Sequence, residues 1–406
     1  MNSLSYRNFF LLLFISLPLA VYNIPFGGLN FSVDRILFIL SFFIIIKYPL
    51  NKTAFRFVVL LLITTLFSMI FSNIESHLFF KYFPSWFQSL IIFMLSTTLT
   101  IKYGTKFLNK IVKGHFIIIL FFTMYGLWHI YVLGEIYFNY PLPSLYNDIL
   151  SDSHKLSMLG NLRLFFPFSS APRLGFVAGF IGLFYLMDPH LNNKKKYLIV
   201  TLSIIMVVST ISRGPIFALF ASLFVAFFIR TLYKSKKYFL LIPPMILALV
   251  ITFIFLETEL EGSKYGRLLL VQGDDYSFKG HLSVRLKVLE MIFTESPINL
   301  FFGFGFGQTQ QIMNVSSAHS SFFTVLFEQG LIGLISMLSI YLYSTYLALK
   351  NWLLHSNKIN FRLLVLSLYL IFIHLAYDAY TMQTLWYFSG MVLGYMIIIK
   401  NQNDKK

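Results

Sequence analysis

Apolar stretches close to 20 residues long recur along this chain, and no other feature constrains its fold as much. Each is about the length of a helix that crosses a hydrocarbon core. Twelve can be read, with edges near 8–22, 33–47, 54–72, 84–101, 114–134, 173–188, 197–211, 214–231, 238–256, 320–349, 361–376 and 381–399. Composition agrees: of 406 residues, 57% are hydrophobic and 12% charged, whereas a soluble domain is about a quarter charged. A water-soluble globular enzyme, a disordered chain and a collagen are excluded. The expected fold is an all-α polytopic integral membrane protein of about 12 transmembrane helices. The first stretch, flanked by Arg7, has no small-residue cleavage site and a second follows almost directly, so it reads as an uncleaved anchor.

The formal charge of +16 would by itself suggest nucleic acid. Its distribution says otherwise. With the N-terminus in the cytoplasm and the spans alternating, the inner loops collect 21 of the 32 basic residues and only Asp188 and Asp404 among the acids, a net of +19. The remaining 11 basic and 14 acidic residues net −3. Every short inner loop then obeys the positive-inside rule, so the charge reports orientation and no nucleic-acid partner is expected. The basic face also suits anionic membrane lipids. Cysteine is absent, which excludes disulfides, thiolate nucleophiles and cysteine metal sites.

The expected organisation has five parts. Residues 1–134 hold the first five spans, 135–172 a large outer loop, and 173–256 spans six to nine. Residues 257–319 form a second large outer loop, and 320–406 the last three spans with a basic inner tail. Loops this long are usually functional or disordered, and the helical stretch and glycine cluster in the second favour order. No internal repeat relates the halves, which counts against the inverted repeats common in transporters.

Basic residues stranded on the outer side are the informative ones. Arg213, in the turn Ser212-Arg213-Gly214-Pro215, reads either as a snorkelling side chain or as an anion ligand. Arg285 is sharper. Over 282–294, Ser283, Lys287, Glu290 and Thr294 form one polar stripe at ~100° per residue, and Arg285 falls on the opposite arc with Val288, Leu289 and Ile292. A permanently charged guanidinium on an apolar arc needs an anion, either phosphate or an outer-loop acid. Arg163 and Arg173 close the first large loop. His319 stands before a long span, where the helix dipole favours a neutral imidazole and hence a general base; a structural histidine is the alternative. Ser321, Thr324 and Glu328 share another stripe on that helix, facing away from His319, so Glu328 reads as bracing a neighbour. Gly330 and Gly333 allow close helix approach. Gly303, Gly305 and Gly307 alternate with phenylalanine, a spacing that permits backbone turns around phosphate or plain anchoring. His374 and Asp378 are four apart and suit one helix face. No metal motif appears: His374 and Asp378 lack a third ligand.

Arg285, Glu295-Ser296-Pro297, Gly303-Phe304-Gly305-Phe306-Gly307, His319 and Phe327-Glu328-Gln329-Gly330-Leu331-Ile332-Gly333, with the Ser212-Arg213-Gly214 turn, resemble the O-antigen ligase/polymerase superfamily of bacterial inner-membrane glycosyltransferases. The motifs span roughly 200–340, and Ser320 stands where that family usually has Asn. The resemblance implies a GT-C-like, metal-independent transferase with no cofactor and a sugar donor on undecaprenyl pyrophosphate. Arg213 and Arg285 would hold the pyrophosphate, joined by Arg173 at the first outer loop. His319 would activate the acceptor hydroxyl, with Glu328, Gly305 and Gly330 in support. A polymerase extending lipid-linked repeat units, with a chain-length regulator as partner by family analogy, is the expectation. A ligase acting on lipid A-core is the close alternative, and a flippase the distant one.

Overall fold

In a computed structural model, the described residues are 3–19, 23–26, 29–32, 39, 50–71, 76–131, 168, 170–188, 191–210, 212–234, 276–313, 318, 320–380 and 382–403. Apart from turns and short loops they are helical, with one antiparallel hairpin, β1 (Asn23–Phe26) and β2 (Leu29–Ser32), paired from Asn23↔Ser32 to Phe26↔Leu29. The connector after the first apolar stretch thus forms a short ladder within an otherwise α-helical architecture. The helices are α1 (Ser3–Ser16), α2 (Lys52–Ile70), α3 (Ser76–Tyr131), α4 (Ala171–Leu186), α5 (Asn193–Ser209) and α6 (Arg213–Lys234). After these come α7 (Tyr276–Thr294), α8 (Pro297–Phe302), α9 (Thr309–Met313), α10 (Ser321–His355), α11 (Lys358–Ala376) and α12 (Gln383–Asn403). Among the described residues five helices are long and apolar enough to cross a membrane: α2, α3, α6, α10 and α11. The chain is an integral membrane protein. The stretches expected at 33–47 (Ile39 apart) and 238–256 lie outside the described residues.

Two apolar stretches, 84–101 and 114–134, become the single run α3. Its apolar part, Tyr82–Trp128, holds 47 residues, ~70 Å if straight against a ~30 Å hydrocarbon core. It is not straight. Gly104 adopts φ 71° and ψ −172°, which no helix contains. Phe93 and His115, equally far before and after that glycine, pack on the neighbouring rings Trp386 and Tyr387, each at a centroid distance of 5.7 Å. The run therefore doubles back at Gly104 and both arms lie on α12.

The two ends of the bundle differ in charge. At one end Asn51 caps α2, its Oδ1 accepting from the Thr53 and Ala54 N–H groups, and its own N–H donates to Thr98 Oγ1 (3.1 Å) on α3, near the Gly104 reversal. Helix direction brings Lys52, Lys102, Lys194, Lys350, Lys358 and Lys400 toward that same end. A buried pair braces it: Arg362 Nη1 lies 3.6 Å from Asp188 Oδ1, its Nη2 donates to the Tyr395 hydroxyl (3.3 Å), and its guanidinium lies 4.7 Å from the Phe184 ring centre. The other end gathers the last turn of α2, the first turns of α4, α6 and α10, and the 377–380 turn after α11. The sequence candidates sit at this second end.

Candidate functional site

The site is built around a break in α10. Gly330 has φ 65° and ψ −166°, a region essentially reserved for glycine. The break separates the short segment Ser321–Gln329 from the remainder and leaves backbone carbonyls without helical donors. The glycine loop after α8 supplies them: the Phe304 N–H donates to the Phe327 carbonyl (2.8 Å) and the Gly305 N–H to the Glu328 carbonyl (3.0 Å). Ser68 Oγ on α2 donates to the Glu328 carbonyl as well. A Cβ on Gly330 would overlap the backbone of Phe301 and Phe302, and one on Gly303 the backbone of Glu328 and Gln329. Gly330 thus admits a crossing of two backbones, while a Cβ on Gly333 would first meet the Gln329 side chain of its own helix.

Each phenylalanine of the loop holds a different element. Phe302 stacks on Phe71 (4.4 Å), Phe304 on Phe327 (4.7 Å), and Phe306 meets Trp86 and Tyr380 (6.4 and 6.3 Å). The loop anchors, and the amides of Phe304 and Gly305 serve the protein instead of a phosphate.

The stripe Ser321, Thr324, Glu328 faces the turn after α11. Glu328 is 3% exposed. Its Oε1 accepts from Thr309 Oγ1 (2.7 Å) and its Oε2 from the Tyr380 hydroxyl (2.9 Å), and the Gly307 amide also donates to the carboxylate. Burial, with the charges of Glu328 and Asp378, raises the Tyr380 phenol well above the ordinary tyrosine value, so it remains a donor. Thr324 Oγ1 donates to Asp378 Oδ2 (2.9 Å) and accepts from the Ala318 N–H (3.1 Å). Tyr82, Gly307 and Gln310 complete a pocket lined by Thr324, Glu328, Asp378 and Tyr380. Thr309, Tyr380, Tyr82 and Gln310 carry no sequence signal that marks them.

His374 and Asp378 do not share a helix face, because α11 ends at Ala376 and Asp378 lies beyond it. His374 Nε2 faces the Tyr341 hydroxyl (2.6 Å) and Nδ1 faces Ser321 Oγ (2.8 Å). Ser321 Oγ donates to the Tyr377 carbonyl (3.2 Å), so a proton on His374 Nδ1 satisfies the set. His374 is a structural histidine that fixes the start of α10. His319 and Arg163 lie outside the described residues. The neighbours of His319, Ala318 and Ser320, are both fully buried.

The arginines converge on the same end. On α7, Ser283, Lys287, Glu290 and Thr294 are exposed while Val288 and Ile292 are buried against Ala318, Leu326 and Phe327. Arg285, half-buried on that inner arc, lies 5.7 Å from the centre of the Phe323 ring on the first turn of α10. Burial lowers its guanidinium below the ordinary arginine value, a desolvation cost that an anion would offset. Arg173 lies in the first turn of α4, with Pro172 setting the start, and Arg213 opens α6. The two helix starts touch: a Cβ on Gly175 would meet Pro215 Cγ at 2.6 Å, and one on Gly214 would meet Ala376 Cβ at 3.6 Å. Tyr377 joins them to α10, its ring 5.4 Å from Phe176 and its carbonyl accepting from the Ser321 N–H (3.2 Å).

No curated protein matches the chain. Residues 197–338 match a family model described as O-antigen ligase. The matched stretch contains Arg213, Arg285, Gly305, His319, Glu328 and Gly330, while Arg173 and Asp378 lie outside it. The similarity to that family thus covers residues 197–338, about a third of the chain.

Proposed function

We propose that the protein is an O-antigen polymerase of the bacterial inner membrane, a metal-independent, GT-C-like glycosyltransferase of about 12 spans with its site on the periplasmic face and both termini in the cytoplasm. The observation that carries the reading is the position of Arg285, half-buried on an apolar helix face and laid over Phe323, on the helix that begins just after His319. Arg285, with Arg213 and Arg173, holds the diphosphate of an undecaprenyl-linked glycan. A planar guanidinium suits phosphate oxygens in pairs, and three cations offset the charge of the leaving group. His319 takes the proton of an acceptor hydroxyl. The hydroxyl oxygen bonds to the donor's anomeric carbon, the bond from that carbon to the diphosphate oxygen breaks, and lipid diphosphate departs. Glu328, Gly305 and Gly330 hold the scaffold. The five-part organisation read from the sequence suits this scheme, and a chain-length regulator is the partner expected.

The test is reconstitution with purified lipid-linked repeat units. Wild-type protein yields a ladder of glycan lengths, and His319→Ala yields none; an undiminished ladder from His319→Ala ends the base assignment. Arg285→Lys keeps the charge and loses the paired geometry, so activity falls at least tenfold. The description of the matched family favours a second reading, ligation to lipid A-core. Glycan transfer to core oligosaccharide alone would establish it.

A further inference from the structure

The first turns of α10 separate two unlike surroundings. Arg285 lies over Phe323 on one side. One residue later, ~100° around the helix, Thr324 donates to Asp378 and borders the pocket. A cationic side and an acidic side therefore flank the segment that follows His319, and the Ala318 N–H to Thr324 bond ties that segment to the acidic side.

The acidic side is unsuited to a diphosphate, which Asp378 would repel. It suits an uncharged, hydroxyl-bearing ring. Asp378, Gln310 and Tyr82 border it with a carboxylate, an amide and a phenol, and the Tyr82 phenol donates to Gln310 Oε1 at 2.6 Å. The two oxygens of Glu328 are committed to Thr309 and Tyr380, so it shapes the pocket floor. A donor sugar is joined to its diphosphate and belongs with the arginines, which leaves the acceptor.

We propose that the pocket bordered by Tyr82, Gln310, Thr324 and Asp378 is the subsite for the acceptor's sugar, with the donor diphosphate on the arginine side of the same helix start. This rests on the transferase reading above.

The probe is the cell's own repeat-unit glycan, freed from its lipid diphosphate by mild acid and titrated against the full-length protein in nanodiscs. Wild-type protein binds it; Gln310→Ala and Tyr82→Ala, both at the pocket mouth, weaken binding at least tenfold, and Arg285→Ala leaves it unchanged. Absence of binding to the wild type, or unchanged binding in the Gln310 and Tyr82 variants, overturns the proposal. Supplied with lipid-linked donor, the wild type extends the free glycan. Inhibition without extension assigns the pocket to the donor and also overturns it. His319→Ala is expected to bind the glycan and not extend it. Extension by that variant would end the base assignment while leaving the pocket assignment intact.

Discussion

Gly104 and Gly330 have almost the same backbone conformation, φ 71° with ψ −172° and φ 65° with ψ −166°, and each interrupts a helix. Their surroundings have nothing in common. A Cβ at Gly104 meets no atom within 4 Å, whereas one at Gly330 collides with the Phe301–Phe302 backbone. At the basic end, glycine answers only to the dihedral angle. At the site end it answers to the angle and to a second backbone pressed against it. A helix break made by conformation alone is a turn; one wedged by a partner chain segment is a joint between elements.

The largest effect is expected from Gly330→Ala. It adds the ~1–3 kcal/mol of an unfavourable backbone region to a collision that only displacement of the loop relieves. Thermal unfolding in detergent should show a loss of several kcal/mol or no folded protein at all; melting equal to that of Gly104→Ala would erase the distinction. Next comes Glu328→Ala, which strips partners from Thr309, Tyr380 and the Gly307 amide around the same joint. Each unsatisfied buried donor costs about 1–3 kcal/mol, and Glu328→Gln recovers part of the loss. Gly104→Ala follows, at about 1–3 kcal/mol and with transfer activity unchanged. Loss of activity there would mean that the reversal of α3 reaches the site. Ser68→Ala is the smallest, about 0.5–1.5 kcal/mol, since the Glu328 carbonyl keeps its bond from Gly305.

The same contrast shows what was legible in the sequence. Period-3.6 arguments worked within single helices: the polar stripe on α7 is exposed with its opposite arc buried, and Ser321, Thr324 and Glu328 on the start of α10 all face the turn after α11. Arg285 could be placed on an apolar arc because Val288 and Ile292 lie on its own helix. What the sequence hid was pairing between segments. Gly330 read as a small residue at a helix contact, because the backbone that presses on it comes from Phe301–Phe302. His374 and Asp378 read as a helical pair, because nothing local announces that α11 stops at Ala376. Gly104 lay in a basic stretch that read as a loop, and the helix runs up to it and on from it. Thr309 and Tyr380 find Glu328 only through the fold.

The bonds from Phe304 and Gly305 to the Phe327 and Glu328 carbonyls carry a kinetic consequence. Amide hydrogens in glycine-rich loops commonly exchange with solvent almost as fast as in an unfolded peptide. These two are secured to the end of a helix segment whose residues are almost all buried, so they exchange only when the joint at Gly330 opens. Their exchange rate is thus a clock for that opening, ticking in a loop where fast exchange would otherwise be the rule.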